Sequence, residues 1–151
     1  MIVIRVAGEA DIPEMHRVRM SVRENELTDR STVQQHHYEE MLSSRGRGWV
    51  AEIDGRIAGF AIVDLQERDI WALFVQPEFE GRGIGRELHQ VMLDWVFSTG
   101  VKQVSLATTA TTRAERFYTM AGWRRVERAD SSDARFEMPR DHWLSQPRQA
   151  R

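Results

Sequence analysis

The stretch IWALFVQPEFEGRGIGREL, residues 70–88, decides the fold that the sequence predicts. Its first six residues, 70–75, are all apolar, which predicts a strand buried on both faces, and Pro77 ends that strand. Over residues 85–98 the apolar residues recur at helical spacing, at Leu88, Val91, Met92, Trp95 and Val96. The stretch therefore predicts a buried strand, a glycine-rich loop and an amphipathic helix that ends at Gly100.

Upstream of this stretch, the sequence predicts one strand, two helices and a hairpin. Residues 2–6 alternate in the manner of a short strand. Capping signatures at Asp11 to Glu14 and at Ser31 to Gln34 predict the starts of two helices, the second of which runs through Leu42. A hairpin over residues 49–63 turns at Asp54-Gly55, a dipeptide that tolerates the positive φ angles of a tight turn.

Downstream, the pattern predicts one more strand, one more helix and a closing hairpin. The strand covers Val101 to Ala107, and the helix begins with a capping box at Thr112 and ends at Gly122. The hairpin pairs residues 123–128 with residues 135–138. Because antiparallel hairpins precede a strand–helix–strand crossover, the sheet must be mixed. We predict an α+β fold, with a mixed but mostly antiparallel sheet of six or seven strands covered by about four helices.

Length and composition exclude several classes of protein. A chain of 151 residues predicts a single domain over residues 1–151, with residues 145–151 as a flexible tail. The net charge of -2 argues against a nucleic-acid binder. Since there is no cysteine, disulfides, thiolate metal sites and an acyl-cysteine intermediate are excluded. There is no apolar run of the ~20 residues that a membrane helix needs and no signal-peptide pattern, so we expect a soluble cytoplasmic protein.

The five histidines do not form a metal-ligand pattern. His36 and His37 are adjacent and point in different directions on a helix, and the residue four positions after His89 is Leu93. We therefore expect surface histidines and no metal.

The loop Glu80-Gly81-Arg82-Gly83-Ile84-Gly85-Arg86 has the features of a phosphate-binding site. Its glycines let the backbone approach a ligand closely, and the following helix directs free N–H groups and a positive dipole end to the same place. The loop lacks the Gly-Lys-Ser/Thr of a P-loop and the third glycine of a dinucleotide fingerprint. On spacing alone, pyrophosphate binding and a purely structural connection between strand and helix both remain open.

Two motifs in the chain resemble those of the GNAT acetyltransferase superfamily. The family's phosphate motif, Gln/Arg-x-x-Gly-x-Gly/Ala, is matched here by Glu80-x-x-Gly83-x-Gly85, with Glu80 in place of Gln or Arg. The second family motif, Asn-x-x-Ala-x-x-Phe-Tyr-x-x-x-Gly-Phe, carries Thr111 in place of Asn and is otherwise matched at Ala114, Phe117, Tyr118, Gly122 and Trp123. The order of predicted elements fits the family over the whole chain.

The resemblance implies acetyl-coenzyme A as the acyl donor. It implies that the pyrophosphate lies on the amides of the loop, at Gly81, Arg82, Gly83, Ile84, Gly85 and Arg86, beside Phe117. It also implies that the pantetheine arm pairs with the backbone of Leu73, Phe74 and Val75, and that a strand N–H there holds the thioester oxygen.

The implied reaction is direct acetyl transfer to a primary amine of a small molecule or peptide in a ternary complex. Tyr118 occupies the family's general-acid position and would protonate the leaving thiolate; a packing role for this buried aromatic stays open. For the base that deprotonates the amine, the candidates are Glu52, Glu67 and Asp69.

Substrate selection in this family usually comes from the segment between the first two helices, here residues 24–30, of which Glu24 and Asn25 are candidates. Glu24 is also a further candidate for the base. Trp71 either lines the acceptor site or belongs to the core. A non-catalytic acetyl-coenzyme A sensor, transfer of a longer acyl chain and a homodimer stay open.

Overall fold

Seven strands form one mixed sheet in the order β1-β2-β3-β4-β5-β7-β6. The computed structural model describes residues 1–22, 33–109, 113–126 and 133–147. The strands are β1 (Ile2–Val6), β2 (Gly46–Ile53), β3 (Arg56–Asp64), β4 (Asp69–Val75), β5 (Gln103–Thr109), β6 (Arg124–Val126) and β7 (Asp133–Pro139). The α-helices are α1 (Ile12–Ser21), α2 (Gln35–Glu40), α3 (Ile84–Ser98), α4 (Arg113–Met120) and α5 (Arg140–Ser145).

The sheet opens between β4 and β5. Every other neighbouring pair of strands is antiparallel, whereas β4 and β5 are parallel and share a single register position, Asp69 opposite Ser105. Beyond that position the two strands no longer pair, so the edge of β4 toward β5 is left without a strand partner. The result is a cleft in the middle of the sheet.

Helices cover both faces of the sheet because the side chains of β3 alternate between two hydrophobic clusters. Ala61 and Val63 belong to one cluster, and Phe60 and Ile62 belong to the other. The apolar stripe of α3 fills the first cluster with Leu88, Met92, Leu93 and Val96. The second is filled from α1 and α2 by Met15, Val18 and Tyr38.

Gly59 allows the start of α3 to lie close against the sheet. A Cβ atom at this position would lie 2.9 Å from the carbonyl oxygen of Phe74 and 3.2 Å from the side chain of Ile84. Ile84 is the first residue of α3. The absence of a side chain on β3 therefore places the N-terminus of α3 beside the open edge of β4.

The predicted α+β fold class and order of elements are confirmed, and α5 is an addition. No sequence pattern marks this helix, because it has six residues, none of them buried, and no apolar periodicity. None of the described helices has the length and apolar character needed to cross a bilayer.

The predicted start of the first helix is confirmed, since α1 begins at Ile12 with Asp11 at its N-cap, but Asp11 does not cap the helix through its side chain. The Asp11 carboxylate instead binds the guanidinium of Arg5 at 2.8 Å and accepts the N–H of Gly8 at 2.8 Å. The second helix runs through Leu42 as predicted, but α2 passes into a π-helical turn at Met41–Arg45. The capping residues predicted at Ser31 and Thr112 lie outside the described residues.

Candidate active site

A cavity of about 1010 Å³ occupies the cleft between β4 and β5. Its walls come from α1, β4, the glycine-rich loop, the start of α3, β5, α4 and the segment after β7. The predicted site residues that line it are Trp71, Leu73, Phe74, Val75, Gly81, Gly83, Ile84, Gly85, Arg86, Phe117 and Tyr118. The glycine-rich loop and the motif that contains Phe117 and Tyr118 are distant in sequence but line the same cavity.

The open edge of β4 presents the main-chain groups of Leu73 and Val75 to the cleft. Successive residues of a strand direct these groups to alternate sides. The N–H of Gln76 donates to the carbonyl of Ala58 on β3 at 2.8 Å, and Phe74 faces Phe60 in the same register. The groups of Leu73 and Val75 therefore point the other way, toward β5, and those of Phe74 do not.

A β-bulge places Trp71 at the cleft. Ile62 and Val63, which are consecutive on β3, pair with Ala72 and Ile70, so Trp71 is the extra residue on β4. A bulge bends the strand and changes the direction of its side chains. Trp71 both packs against the α1–α2 cluster and lines the cavity.

The N-terminus of α3 carries main-chain amides without partners. Gly81 and Gly83 have φ angles of 80° and 82°, which favour glycine. The first helical hydrogen bond joins the N–H of Glu87 to the carbonyl of Gly83 at 3.0 Å. The N–H groups of Ile84 and Gly85 therefore have no carbonyl partner in the described chain and remain available to a ligand.

Positive charge dominates the walls of this cavity. Its described lining contains four arginines and one carboxylate, at Arg19, Arg86, Arg113, Arg116 and Glu80. The Glu80 carboxylate binds the Arg113 guanidinium at 2.6 Å. Glu80, which departs from the family's phosphate motif, is thus neutralised by α4. Arg82 is not among the lining residues, and its guanidinium lies over the ring of Phe79.

Tyr118 is buried among aromatic rings at the wall of the cavity. Its ring makes T-shaped contacts with Phe117 and Trp123, with centroid separations of 5.2 and 5.5 Å. The whole residue is 6% exposed. Burial raises the pKa of the phenol above its ordinary value, because the charged form would lose its hydration. The hydroxyl therefore stays protonated and retains a proton that it can donate.

His89 contradicts the expectation that the histidines lie on the surface. It is 3% exposed, and its Nε2 accepts a hydrogen bond from Nε1 of Trp123 at 2.9 Å. Burial lowers its pKa to about 4, so the imidazole is neutral at pH 7. A signal was present in the sequence, because Met92, Leu93 and Val96 follow His89 at three, four and seven residues and place it on the buried face of α3.

The three carboxylates proposed as bases do not line the cavity. Glu52 lies on β2 and forms an ion pair with Arg5 at 2.9 Å. Glu67 lies in the turn between β3 and β4. Asp69 begins β4 and has one buried carboxylate oxygen without a partner; burial and the nearby Asp64 raise its pKa. The candidates Glu24 and Asn25 lie outside the described residues.

Two contributions to the cavity were not predicted from the sequence. Arg19 reaches it from α1, a helix whose polar face showed no motif. Trp143 and Gln146 reach it from the C-terminal segment, and Gln146 belongs to the stretch predicted as a flexible tail. The backbone of Gln146 donates to the carbonyl of Trp143 at 3.2 Å, and its side chain contacts Met138.

Comparison with known proteins identifies the family. The family model of the acetyltransferase (GNAT) family matches residues 12–123, well over half of the chain. An uncharacterized N-acetyltransferase from Archaeoglobus fulgidus is 37% identical over 107 residues, which cover 63% of this chain and 73% of that protein. The chain belongs to the GNAT acetyltransferase family. It is therefore an acyltransferase, and the acyl donor of this family is acetyl-coenzyme A.

Solved structures of GNAT proteins share the fold. An acetyltransferase of the GNAT family from Staphylococcus aureus has a TM-score of 0.78 at 18% identity, over 93% of this chain and 99% of that one. The PaiA N-acetyltransferase of Thermoplasma acidophilum, solved with coenzyme A, has a TM-score of 0.75 at 17% identity, over 92% and 99%. The ribosomal-protein-S18-alanine N-acetyltransferase of Escherichia coli has a TM-score of 0.72 at 17% identity, over 91% of each chain.

The residues of the cleft fit acetyl-coenzyme A, which carries a pyrophosphate and an extended amide-containing arm. The free amides and the arginines of α3 and α4 suit the anionic end, and the unpaired edge of β4 suits the arm. Among the described residues, no group of three or more metal-binding side chains is present.

Proposed function

We propose that this GNAT protein transfers an acetyl group from acetyl-coenzyme A directly to a primary amine in a ternary complex. The observation that carries this proposal is that Tyr118 lines the same cavity as the free amides at the start of α3. The amides would bind the acetyl donor, and Tyr118 would protonate the leaving thiolate. The proposal also accords with the absence of cysteine, which rules out an acyl-cysteine intermediate.

The donor would bind along β4 and end at α3. The amides of Ile84, Gly85 and Arg86 would hold the pyrophosphate, where the helix dipole adds to the charge of the nearby arginines. The main-chain groups of Leu73 and Val75 would pair with the pantetheine arm as a neighbouring strand would. An N–H from this edge would stabilise the negative charge that develops on the thioester oxygen.

Tyr118 would supply the proton that the departing thiolate takes up. A thiol has a pKa of ~8.5, so its anion benefits from a donor in a site of low polarity. The raised pKa of the Tyr118 phenol keeps the donor protonated across the working pH range. The acylated nitrogen would lose one proton, which would return to the Tyr118 phenolate, so that amine and thioester become amide and thiol with no net change in charge.

The acceptor would enter as the free amine. Glu80 is the one carboxylate in the described lining, and it is already paired with Arg113. No described carboxylate is therefore placed to remove the ammonium proton. An α-amine of pKa ~7.7–8.0 is partly neutral at pH 8, whereas a lysine-like amine of pKa ~10.4 is not. We expect the rate to rise with pH up to the pKa of the amine itself.

A thiol-release assay across primary amines tests the proposal. Acetyl-coenzyme A binding is first measured by calorimetry, and free thiol is then followed with amino acids, peptides and polyamines. The proposal predicts amine-dependent release and an N-acetylated product in the mass spectrum. Coenzyme binding without release for any amine would contradict it.

A further inference from the structure

Arg19 projects from α1 into the cleft without a partner for its buried end. Its guanidinium carbon lies 5.1 Å from the ring centroid of Trp71 and 5.0 Å from that of Phe74. Nη1 of Arg19 is buried and has no hydrogen-bond partner in the described structure. Arg19 thus lines the cavity, with its guanidinium against two aromatic rings and one of its donors buried without a partner.

Unlike several other arginines of the described chain, Arg19 has no carboxylate partner. Five of them form ion pairs with carboxylates: Arg5, Arg17, Arg45, Arg113 and Arg125. Arg19 forms no ion pair with a described carboxylate. The Tyr38 hydroxyl interacts with the same guanidinium, but it is hydrogen-bonded to Nδ1 of His16 at 2.9 Å and leaves Nη1 of Arg19 unsatisfied.

An unsatisfied guanidinium N–H is costly inside a protein. Aromatic rings compensate part of the charge through cation–π attraction, but they do not replace the missing hydrogen bond. Burial accordingly lowers the pKa of the Arg19 guanidinium. A bound anion would compensate the charge, and the planar fork of arginine matches a carboxylate with two parallel hydrogen bonds.

Arg19 lies on a different side of β4 from the phosphate loop. Trp71 and Phe74, which hold its guanidinium, pack against the α1–α2 cluster. Val75 packs against the cluster that α3 covers, and the free amides of the loop lie at the start of that helix. The cleft therefore offers one anion-binding feature on the α3 side and a second, separate one on the α1 side.

We propose that the acceptor amine carries a carboxylate and that Arg19 binds it. This inference rests on the proposed function, since it names the class of amine that the acetyl group is transferred to. The amine and the carboxylate belong to one molecule, which the α1 side of the cleft holds while the donor lies along β4. Simple alkylamines and polyamines, which have no anionic group, would bind poorly.

Matched acceptors test the inference. Aminocarboxylates with one to five carbons between the two groups are compared with their carboxamides and with the corresponding aminophosphonates, by thiol release and by calorimetric titration into the coenzyme A complex. For at least one spacing, the carboxylate should exceed the carboxamide by tenfold or more in kcat/KM. Equal rates for carboxylate and carboxamide at every spacing would overturn the inference, and so would a preference for the phosphonate.

The Arg19→Met variant locates the effect. It should raise the KM of the preferred carboxylate by about 10- to 100-fold, change the carboxamide less than threefold, and leave coenzyme A affinity unaltered. Arg47→Met is the matched control, because the Arg47 guanidinium stacks on Trp95 at 4.6 Å and does not line the cavity. A similar loss for both acceptors in Arg19→Met would contradict the assignment to Arg19.

The outcomes separate this inference from the proposed function. Thiol release with carboxamides or simple amines alone contradicts the carboxylate and leaves acetyl transfer to amines standing. An absence of release with any amine contradicts both. If Arg19→Met does not fold, the comparison of acceptors with the unaltered protein still decides the question, because it depends on no substitution.

Discussion

Replacement of Tyr118 by phenylalanine removes one oxygen atom from the wall of the cleft and retains the ring. The hydroxyl forms no hydrogen bond with the described residues, and the ring keeps its contacts with Phe117, Trp123 and Phe136. No favourable interaction of the folded state is lost. The free energy of unfolding should therefore change by less than about 1 kcal/mol, equivalent to roughly 2–4 °C in melting temperature.

The loss in catalysis should be much larger than the loss in stability. General-acid catalysis contributes about 10²- to 10⁴-fold, which corresponds to roughly 3–5 kcal/mol of activation free energy. Tyr118→Phe should lower kcat by that factor. The dissociation constant of acetyl-coenzyme A should stay within about threefold, because the proposed donor-binding groups are the main-chain amides of the loop and β4.

The assay combines initial rates of thiol release, calorimetric binding of coenzyme A and thermal unfolding. The other tyrosine provides the control, since the hydroxyl of Tyr38 is hydrogen-bonded to His16 and lies outside the cavity lining. Tyr38→Phe should lose about 1 kcal/mol of stability and less than tenfold in kcat. If Tyr118→Phe turns over within threefold of the unaltered protein, Tyr118 is not the proton donor.

Three further predictions concern the loop, the buried histidine and a carboxylate. Gly83→Ala should lower the free energy of unfolding by about 1–2 kcal/mol, because alanine is strained at a φ of 82°, and should weaken coenzyme A binding about tenfold. The control is Gly100→Ala, at a φ of 98° beyond the C-terminal end of α3, which should lower the free energy of unfolding without weakening coenzyme A binding. Because the pKa of His89 is lower in the folded protein, the imidazole of the unfolded chain takes up a proton at a higher pH than that of the folded protein. The contribution of the neutral His89 to the free energy of unfolding is therefore fully present above pH ~6.5 and decreases as the pH falls toward 4. Between pH 7.5 and 5.5 denaturant titrations should show a loss of roughly 1.3 kcal/mol that His89→Gln lacks and the surface control His36→Gln retains; equal losses would contradict the burial of a neutral imidazole. Glu52→Gln should leave kcat/KM within threefold, because Glu52 is paired with Arg5 outside the cavity, and a hundredfold loss would restore it as the base.

The strand, loop and helix of residues 70–98 could be predicted from the sequence because their signals are local. An apolar run, alternating glycines and a 3.6-residue period each reflect the physics of one element. The bulge at Trp71 is different, since it depends on how β3 and β4 align, and no residue at that position marks it. The open edge of β4 likewise follows from a pairing that involves β5.

Those residues of the candidate site that belong to a sequence motif could be predicted, whereas those positioned by the packing of distant elements could not. Gly83 and Tyr118 belong to motifs with fixed spacing. The environment of Arg19 depends on α1 lying across β4, so an arginine on a short polar helix gave no signal. The carboxylates proposed as bases do not line the cavity. Acids are common on strand ends and turns, and their positions along the chain do not tell which side of the sheet they face.

The central claim is that free main-chain amides at the start of α3 bind the pyrophosphate of acetyl-coenzyme A. The most direct measurement is the amide ¹H–¹⁵N spectrum of the labelled protein, titrated with coenzyme A and, separately, with S-acetylpantetheine, which lacks the pyrophosphate. The amide signals of Ile84, Gly85 and Arg86 should move downfield with coenzyme A and stay nearly unchanged with S-acetylpantetheine. If coenzyme A binds and these signals do not move, or if both ligands move them equally, the pyrophosphate is held elsewhere and the claim is contradicted.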